Sequence, residues 1–573
     1  MNMINGICGS KGKAIGTAVL VAFAEEKNEK YVITDYAAEE QRFREAQKKY
    51  ETRLAGLYEK CMAETGEQEA LIFKAYSDIL LDEVFFAKVL ANVKNEMINV
   101  EHAIQDEYQK VERIFAQMDD PYLQERANDI VNVCATLIDM LMGREKDFLA
   151  AMADIDDVII VAEDLTPADT IRMDRSRLRG FVTEKGGITS HVAILAKALG
   201  IPTIVGARGA LKEISHGDTL LLDATNGVVF SNPDKDKTDA FIAEKEDEDA
   251  RALLYASCET KPAVTKDGVL LHINVNTGDT ESLKEFDAER CDGIGLLRTE
   301  FLYLGRHSSP EEDYQFEVYK NIAVKAGGKE VIIRTLDIGG DKKADYMDIE
   351  TEENPFLGFR AIRLCLGQPE MFRTQLRAIL RASAYGNIKI MFPMIVTLEE
   401  LREAKAMLCR AKAELDARGE KYNADIETGI MIETPAAVVI SDLLAAESDF
   451  FSIGTNDLVQ YTVAADRTNN KVQYLYDICN VSVLRSIKKA ADEAAKAGIP
   501  IGICGEAASY EELVPLWVAL GIDELSVAAS LVGSVKYIVQ NSEKARLEGL
   551  AADVFSKKTS QEIRDELKKL AVI

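Results

Sequence analysis

The sequence predicts an α/β multidomain protein: a C-terminal (β/α)8 TIM barrel, and an N-terminal β/α domain with an inserted α-helical bundle. Three observations carry this. Eight short apolar segments alternate with helical patterns from about residue 264 onward, the pattern of a parallel barrel. Residues 35–148 keep the helical period with short breaks. Strand-like runs stand on both sides of that helical stretch, so the domain they form is discontinuous. The chain has 573 residues, more than one hydrophobic core serves, which also calls for several domains.

Taken in order, residues 14–23 read as a strand: Ala-Ile-Gly-Thr-Ala-Val-Leu-Val-Ala-Phe. Phe43, Ala46, Tyr50, Leu54, Leu57 and Cys61 then recur at spacings of three and four, with charges between them. Further helical patterns over 67–94, 97–117 and 121–148 make four helices in all, an antiparallel bundle by their short connections. Short strands are expected at 158–162, 180–183, 203–206, 218–223 and 227–231. Residues 232–262, with Glu244-Lys-Glu-Asp-Glu-Asp249, read as a linker helix. The barrel strands are expected at 270–276, 293–298, 331–337, 388–394, 429–434, 450–455, 499–505 and 524–527.

Composition narrows the function. The net charge of −28 argues against a nucleic-acid binder, which needs lysine and arginine on phosphates. It suits a basic protein partner or plain solubility. No apolar run is long enough to span a membrane, and the N-terminus lacks the basic-then-apolar layout of a secretion signal. Nine cysteines without CxxC pairs fit reduced thiols in a cytoplasmic protein rather than a disulfide framework or a zinc site. Eight of them read as small core residues; Cys504, between Gly502 and Gly505, stands apart.

Two features carry chemistry. The first is Gly186-Gly187-Ile188-Thr189-Ser190-His191. Two glycines permit a tight turn, Thr189 and Ser190 are helix-start residues, and an Ala-rich helix follows as far as Gly200. His191 therefore stands at a helix N-terminus, where negative charge is favoured. The second is the set of polar residues at the barrel strands' C-terminal ends, where such barrels place active sites. Arg298 ends the second strand, Arg334 the third, Glu433 the fifth, Asn456 and Asp457 the sixth, and Cys504 the seventh. Arg360 and Arg467 lie in the loops beyond. Arginines bind phosphate and carboxylate, and Glu433 with Asp457 suits a hard cation such as Mg²⁺. The set fits phosphoryl transfer, where positioning and charge neutralisation do most of the catalysis.

These stretches resemble enzyme I of the bacterial phosphoenolpyruvate-dependent sugar phosphotransferase system, from end to end of the chain. Gly-Gly-Ile-Thr-Ser-His191 resembles the phosphohistidine signature of that family and of the dikinases. Residues 292–302, 334–342, 353–363, 429–437 and 452–461 are long, specific matches. The resemblance implies a phosphohistidine β/α domain (1–31 and 149–231), a helical insertion that binds the carrier HPr (32–148), a linker helix (232–262) and a phosphoenolpyruvate-binding barrel (263–573). It implies that His191 takes the phosphoryl group from phosphoenolpyruvate and passes it to a histidine of HPr. Arg298, Arg334, Arg360, Arg467, Asn456 and Asp457 would bind substrate, Glu433 and Asp457 would hold Mg²⁺, and Cys504 would protonate the enolate to pyruvate. It also implies a homodimer through the barrel and a swivelling first domain. Tyr76 stands where a histidine is usual, and Gly9–Gly12, Leu304–Arg306, Tyr476–Ser482 and Cys504–Ser509 also depart from the common pattern. These departures admit a paralogue serving a dedicated carrier, or a phosphorylation-state signalling protein. An ATP-linked dikinase would need a nucleotide module, and no Gly-rich phosphate loop occurs in the first 150 residues.

Overall fold

The computed structural model describes residues 2–21, 28–64, 67–115, 121–144, 155–173, 176–187, 190–278, 282–283, 286–340, 344, 346–347, 352–469 and 471–570. The chain divides into two compact units, Met1–Glu248 and Asp249–Ile573.

In the first unit, eight strands form one mixed sheet. They are β1 (Asn2–Asn5), β2 (Ile7–Ser10), β3 (Lys13–Val21), β4 (Val158–Ala162), β5 (Leu178–Thr183), β6 (Thr203–Val205), β7 (Thr219–Asp223) and β8 (Val228–Ser231). The spatial order is β1-β8-β7-β3-β4-β5-β6-β2. β3 and β4 are parallel neighbours, with Thr17 opposite Val158 and Val21 opposite Ala162. The whole helical region is thus the crossover between two adjacent strands. β4 is buried along its full length, as a central strand covered on both faces must be.

That crossover holds five described helices rather than four: α1 (Tyr36–Glu64), α2 (Glu67–Leu80), α3 (Glu83–Glu96), α4 (Val100–Phe115) and α5 (Pro121–Leu141). The pattern over 67–94 is two helices. Asp82 divides them, its carboxylate accepting from Val84 N at 2.8 Å and Phe85 N at 3.0 Å, a side-chain N-cap. The apolar period runs on across the break, which is why the sequence reads as one helix. α5 ends at Leu141; residues 116–117 and 145–148 of the expected patterns, and 22–23 of the first strand, lie outside the described residues. Phe43, Tyr50, Phe73, Tyr76 and Phe86 fill the helical core.

The expected linker is one helix, Lys235–Cys258. Its first half is held in the first unit. Phe241 is buried there, and Lys13 Nζ reaches Glu244 at 2.9 Å and Glu248 at 2.8 Å.

The second unit is the predicted barrel. β10 (Leu270–Thr277), β11 (Gly293–Leu297), β12 (Glu330–Arg334), β13 (Ile388–Phe392), β14 (Thr428–Ile432), β15 (Phe451–Ile453), β16 (Ile501–Ile503) and β17 (Glu524–Val527) are all parallel, and β10 pairs with both β11 and β17 to close the ring. β9 (Ala263–Val264) adds a short antiparallel pairing to β10. Alternate strand residues face outward into one large core with the surrounding helices, Trp517 and Phe372 among them. Several strands stop one to three residues short of the expected ends, because the polar residues there leave the ladder to line the mouth. The connection after β14 holds two short helices, Pro435–Val439 and Ser441–Ala445, and that after β16 the helix Val514–Ala519. Six of the eight expected core cysteines are buried; Cys8 is half-buried and Cys409 exposed, Cys409 standing on the helix Leu398–Arg418 outside its buried stripe.

Candidate active site

In the first unit, His191 is the first residue of the helix His191–Ala198. Ser190 is its N-cap, its hydroxyl accepting from Ala193 N at 3.3 Å. Gly186 takes φ +93°, a conformation that side chains strain against, and a Cβ there would meet Ser190 Oγ at 3.4 Å. Thr189, also expected at the helix start, lies outside the described residues. The helix is clamped on two sides. Val192 and Ala196 join the core beneath the sheet, and Leu195 joins the core of α1–α5. The helix that begins at His191 is therefore fixed to the sheet and to the helical region together. Helix-start N–H groups have no partner inside the helix, so they suit an added phosphoryl group.

In the second unit, one cavity of about 280 Å³ opens at the C-terminal ends of the barrel strands. Arg298, Arg334, Arg360, Glu433, Asn456, Asp457, Arg467 and Cys504 all line it, with Leu296, Met431, Asp337 and Glu506. The structure thus brings together every barrel residue singled out from the sequence.

Two of the arginines are held by carboxylates. Arg334 is buried and pairs with Glu300 and with Asp337 Oδ2 at 3.0 Å. Burial alone would disfavour its charge; Glu300, Asp337 and Glu433 outweigh that and hold it firmly cationic. Arg360 donates to Asp337 Oδ1 at 2.8 Å and to the Tyr461 hydroxyl at 3.2 Å, with Asp457 Oδ1 at 3.5 Å. Its neighbour Ala361 has φ 53° and ψ −126°, a strained backbone for a residue with a Cβ. Opposite, Gly339 at φ +117° leaves the space that Arg360 Cβ fills. Arg298 is exposed at the mouth, and Arg467 stacks 5.6 Å from the Phe356 ring.

Glu433 is fully inside. Its Oε1 accepts from Met394 N at 2.6 Å. Burial and the nearby Asp457 and Asp337 carboxylates push its carboxyl up to about 8. Gly454 leaves room for it, since a Cβ there would stand 2.8 Å from Glu433 Oε2. Asn456 Nδ2 donates to Glu506 Oε1 at 3.0 Å, and Glu506 N returns a bond to Asn456 Oδ1 at 3.3 Å. Gly505 has no space for a side chain, because a Cβ would fall on the backbone N and hydroxyl of Thr455. That close approach presses the Cys504 turn against the Asn456 turn. The Cys504 thiol is buried and donates to the Ile453 carbonyl at 3.7 Å, and burial pushes it up to about 11.

Asp337, Glu300, Glu506 and Tyr461 complete the site without having been assigned a role from sequence. The first three stand within the strand-end segments that the sequence marks, but their part is to hold arginine and asparagine across neighbouring strands, and that depends on register. Four guanidinium groups face four carboxylates in the cavity wall. A multiply charged anion would unbalance this set. The buried Glu433, crowded by the Asp457 and Asp337 carboxylates, would suit a hard divalent cation that offsets the added charge.

The fold and the site define an enzyme that uses phosphoenolpyruvate. Residues 254–544 match the family model of the phosphoenolpyruvate-binding domain of such enzymes, residues 155–227 the mobile domain and residues 5–126 the N-terminal domain. The chain belongs to the phosphoenolpyruvate-protein phosphotransferase (enzyme I) family. It is 41% identical over 566 residues to the phosphoenolpyruvate-protein phosphotransferase of Listeria monocytogenes, covering 99% of both chains. It is 40% identical over 570 residues to that of Bacillus subtilis, covering 98% of both, and 40% identical over 565 residues to that of Staphylococcus aureus, again 98% of both.

Proposed function

We propose that this chain moves a phosphoryl group from phosphoenolpyruvate to His191 and then to a histidine of an HPr-like carrier, with release of pyruvate. The observation that carries this is the barrel cavity in which four arginines, a carboxylate pair, an amide and a thiol converge. Arg298, Arg334 and Arg467 bind the phosphate and carboxylate of the substrate, with Asn456 and the backbone at Asp457 beside them. Arg360 fixes Asp337 and Asp457, so that the anionic wall keeps its shape as the substrate enters. Glu433 and Asp457 would hold Mg²⁺, which when bound neutralises phosphate charge.

His191 attacks phosphorus in line through Nε2. The P–O bond to the enol oxygen breaks, leaving enolpyruvate in the cavity. Cys504 donates its proton to the terminal carbon of the enolate, and pyruvate results. A thiol held up near 11 by burial keeps that proton at neutral pH until a stronger base, the enolate carbon, is formed beside it. The phosphorylated His191 then meets the carrier, for which residues 32–148 form the docking surface. The domain limits 1–31 with 149–231, 232–262 and 263–573 follow the same reading, as do a homodimer through the barrel, a swivelling first domain and a cytoplasmic setting.

The test is labelled phosphoenolpyruvate with Mg²⁺. Acid-labile label and one pyruvate per label are expected on the parent chain, and neither on His191→Ala. Label that persists in His191→Ala overturns the assignment.

A further inference from the structure

Inside the barrel, the two sides of the wall differ. Ile332 of β12, Met391 of β13, Met431 of β14 and Phe450, just before β15, pack into an apolar cluster with Leu296 and Cys504, with the buried Ser452 of β15 opposite Gly502. On β16, β17, β10 and β11 the inward positions are Gly502, Glu524, Ser526, Asn276 and Gly295. A Cβ on Gly295 would overlap both Glu524 Oε1 and the Ser526 side chain, and a Cβ on Gly502 would stand 3.3 Å from Glu524 Oε2. Two glycines therefore make a slot that the Glu524 carboxyl occupies. Gly502 precedes Cys504 by two residues on the same face, one strand repeat away. Ser526 Oγ donates to Asn276 Oδ1 at 2.8 Å, and Asn276 Nδ2 donates to the Cys504 carbonyl at 3.1 Å. Polar side chains thus line the wall from Glu524 to the Cys504 carbonyl, while the Cys504 thiol donates to the Ile453 carbonyl at 3.7 Å.

This polar line has an outlet at the N-terminal end of the barrel. Glu330, Asn274, Lys389 and Asp523 act on the Glu524 carboxyl there. Lys389 Nζ lies 2.6 Å from both Glu330 Oε2 and Glu427 Oε2, and the Glu427 side chain is 50% exposed. Lys389 is thus shared between two other carboxylates. Asn274 Oδ1 is buried and, among the described residues, has no hydrogen-bond partner; the Asn274 side chain's own bond to Glu524 favours the carboxylate and partly offsets the upward push. Burial and the neighbouring Glu330 push Glu524 up to about 8, so the carboxyl is largely protonated at neutral pH.

We propose that Glu524 is the proton-delivery residue for Cys504, returning a proton to the thiolate after each turnover. The proposal rests on the reading of Cys504 as the acid. The S–H bond of Cys504 breaks as the C–H bond of pyruvate forms. The Glu524 O–H bond then breaks as the S–H bond of Cys504 reforms, the proton passing by way of the Ser526 hydroxyl. The Glu524 carboxylate regains its proton from solvent at the Glu330–Lys389–Glu427 end. Glu524 acts through Cys504 and touches no substrate.

The experiment compares first and later turnovers in Glu524→Gln, an isosteric change, with Mg²⁺, phosphoenolpyruvate and a phosphorylatable HPr-like carrier. The first-turnover release of pyruvate is expected to match the parent, while steady-state pyruvate formation falls on the order of tenfold or more. The KM for phosphoenolpyruvate should hold, and small weak acids in the buffer should restore part of the rate. Ser526→Ala should show the same pattern more weakly, which keeps the test standing if Glu524→Gln does not fold. Equal loss in first and later turnovers, or a steady state within about twofold of the parent, overturns the proposal. Cys504→Ala separates the two readings. If it is slow and Glu524→Gln is not, the relay alone is wrong; if Cys504→Ala turns over normally, the acid role itself is wrong.

Discussion

At the scale of single residues, Cys504 shows how the barrel interior sets reactivity. Its thiol is buried and pushed up to about 11 by burial, so it is S–H at neutral pH and becomes the reactive thiolate only as pH climbs toward that value. Alkylation by a small neutral reagent should therefore reach exposed Cys409 first at neutral pH, with Cys504 rising steeply at high pH and protected by phosphoenolpyruvate. Mass mapping of the labelled cysteines checks this; a Cys504 as reactive as Cys409 at neutral pH contradicts it. Cys504→Ala should keep the fold and slow pyruvate formation by about a hundredfold, the usual worth of a positioned acid, while unchanged kinetics removes the acid role. The residues that line the cavity were legible in the sequence because strand-end arginines, carboxylates and a thiol are visible as types. Their keepers were not. That Arg334 meets Glu300 and Asp337, and Arg360 meets Asp337 and Asp457, depends on which strands are neighbours and on the turn at the strained Ala361.

At the scale of elements, the parallel strands read clearly because burial on both faces makes them short apolar runs. Their ends read less clearly, since Arg334 closes β12 while Asp337 three residues on has left the ladder. The single helix expected over 67–94 fails at Asp82, where one carboxylate starts a new helix without interrupting the apolar period. Asp82→Ala should lower the stability of the first unit by about 1 kcal/mol, read as a shift in the helical unfolding transition. Close contacts between elements give a sharper test. Gly505→Ala drives a Cβ into Thr455, parting the β15 and β16 ends that carry Asn456 and Cys504. A displacement worth about 1.4 kcal/mol weakens phosphoenolpyruvate binding about tenfold. Calorimetric titration measures it, and parent-like affinity would show that the strand ends tolerate the separation.

At the scale of the whole molecule, the chemistry is divided between two compact units. The first holds His191 at a helix start fixed to both sheet and helical region; the second holds the anion cavity. The separated second unit, Asp249–Ile573, should bind phosphoenolpyruvate in the presence of Mg²⁺ yet release no pyruvate, because the acceptor histidine is on the other unit. Pyruvate from that unit alone would place the acceptor within the barrel. The polar line behind Cys504 adds a third location, at the far end of the barrel, through which protons return.

The central claim is that His191 receives the phosphoryl group in the barrel cavity, and labelled phosphoenolpyruvate measures it most directly. After incubation with Mg²⁺, one acid-labile phosphoryl group per chain should map to the peptide containing His191, with pyruvate released in equal amount. Label on any other residue, or pyruvate released without label on His191, would contradict the account.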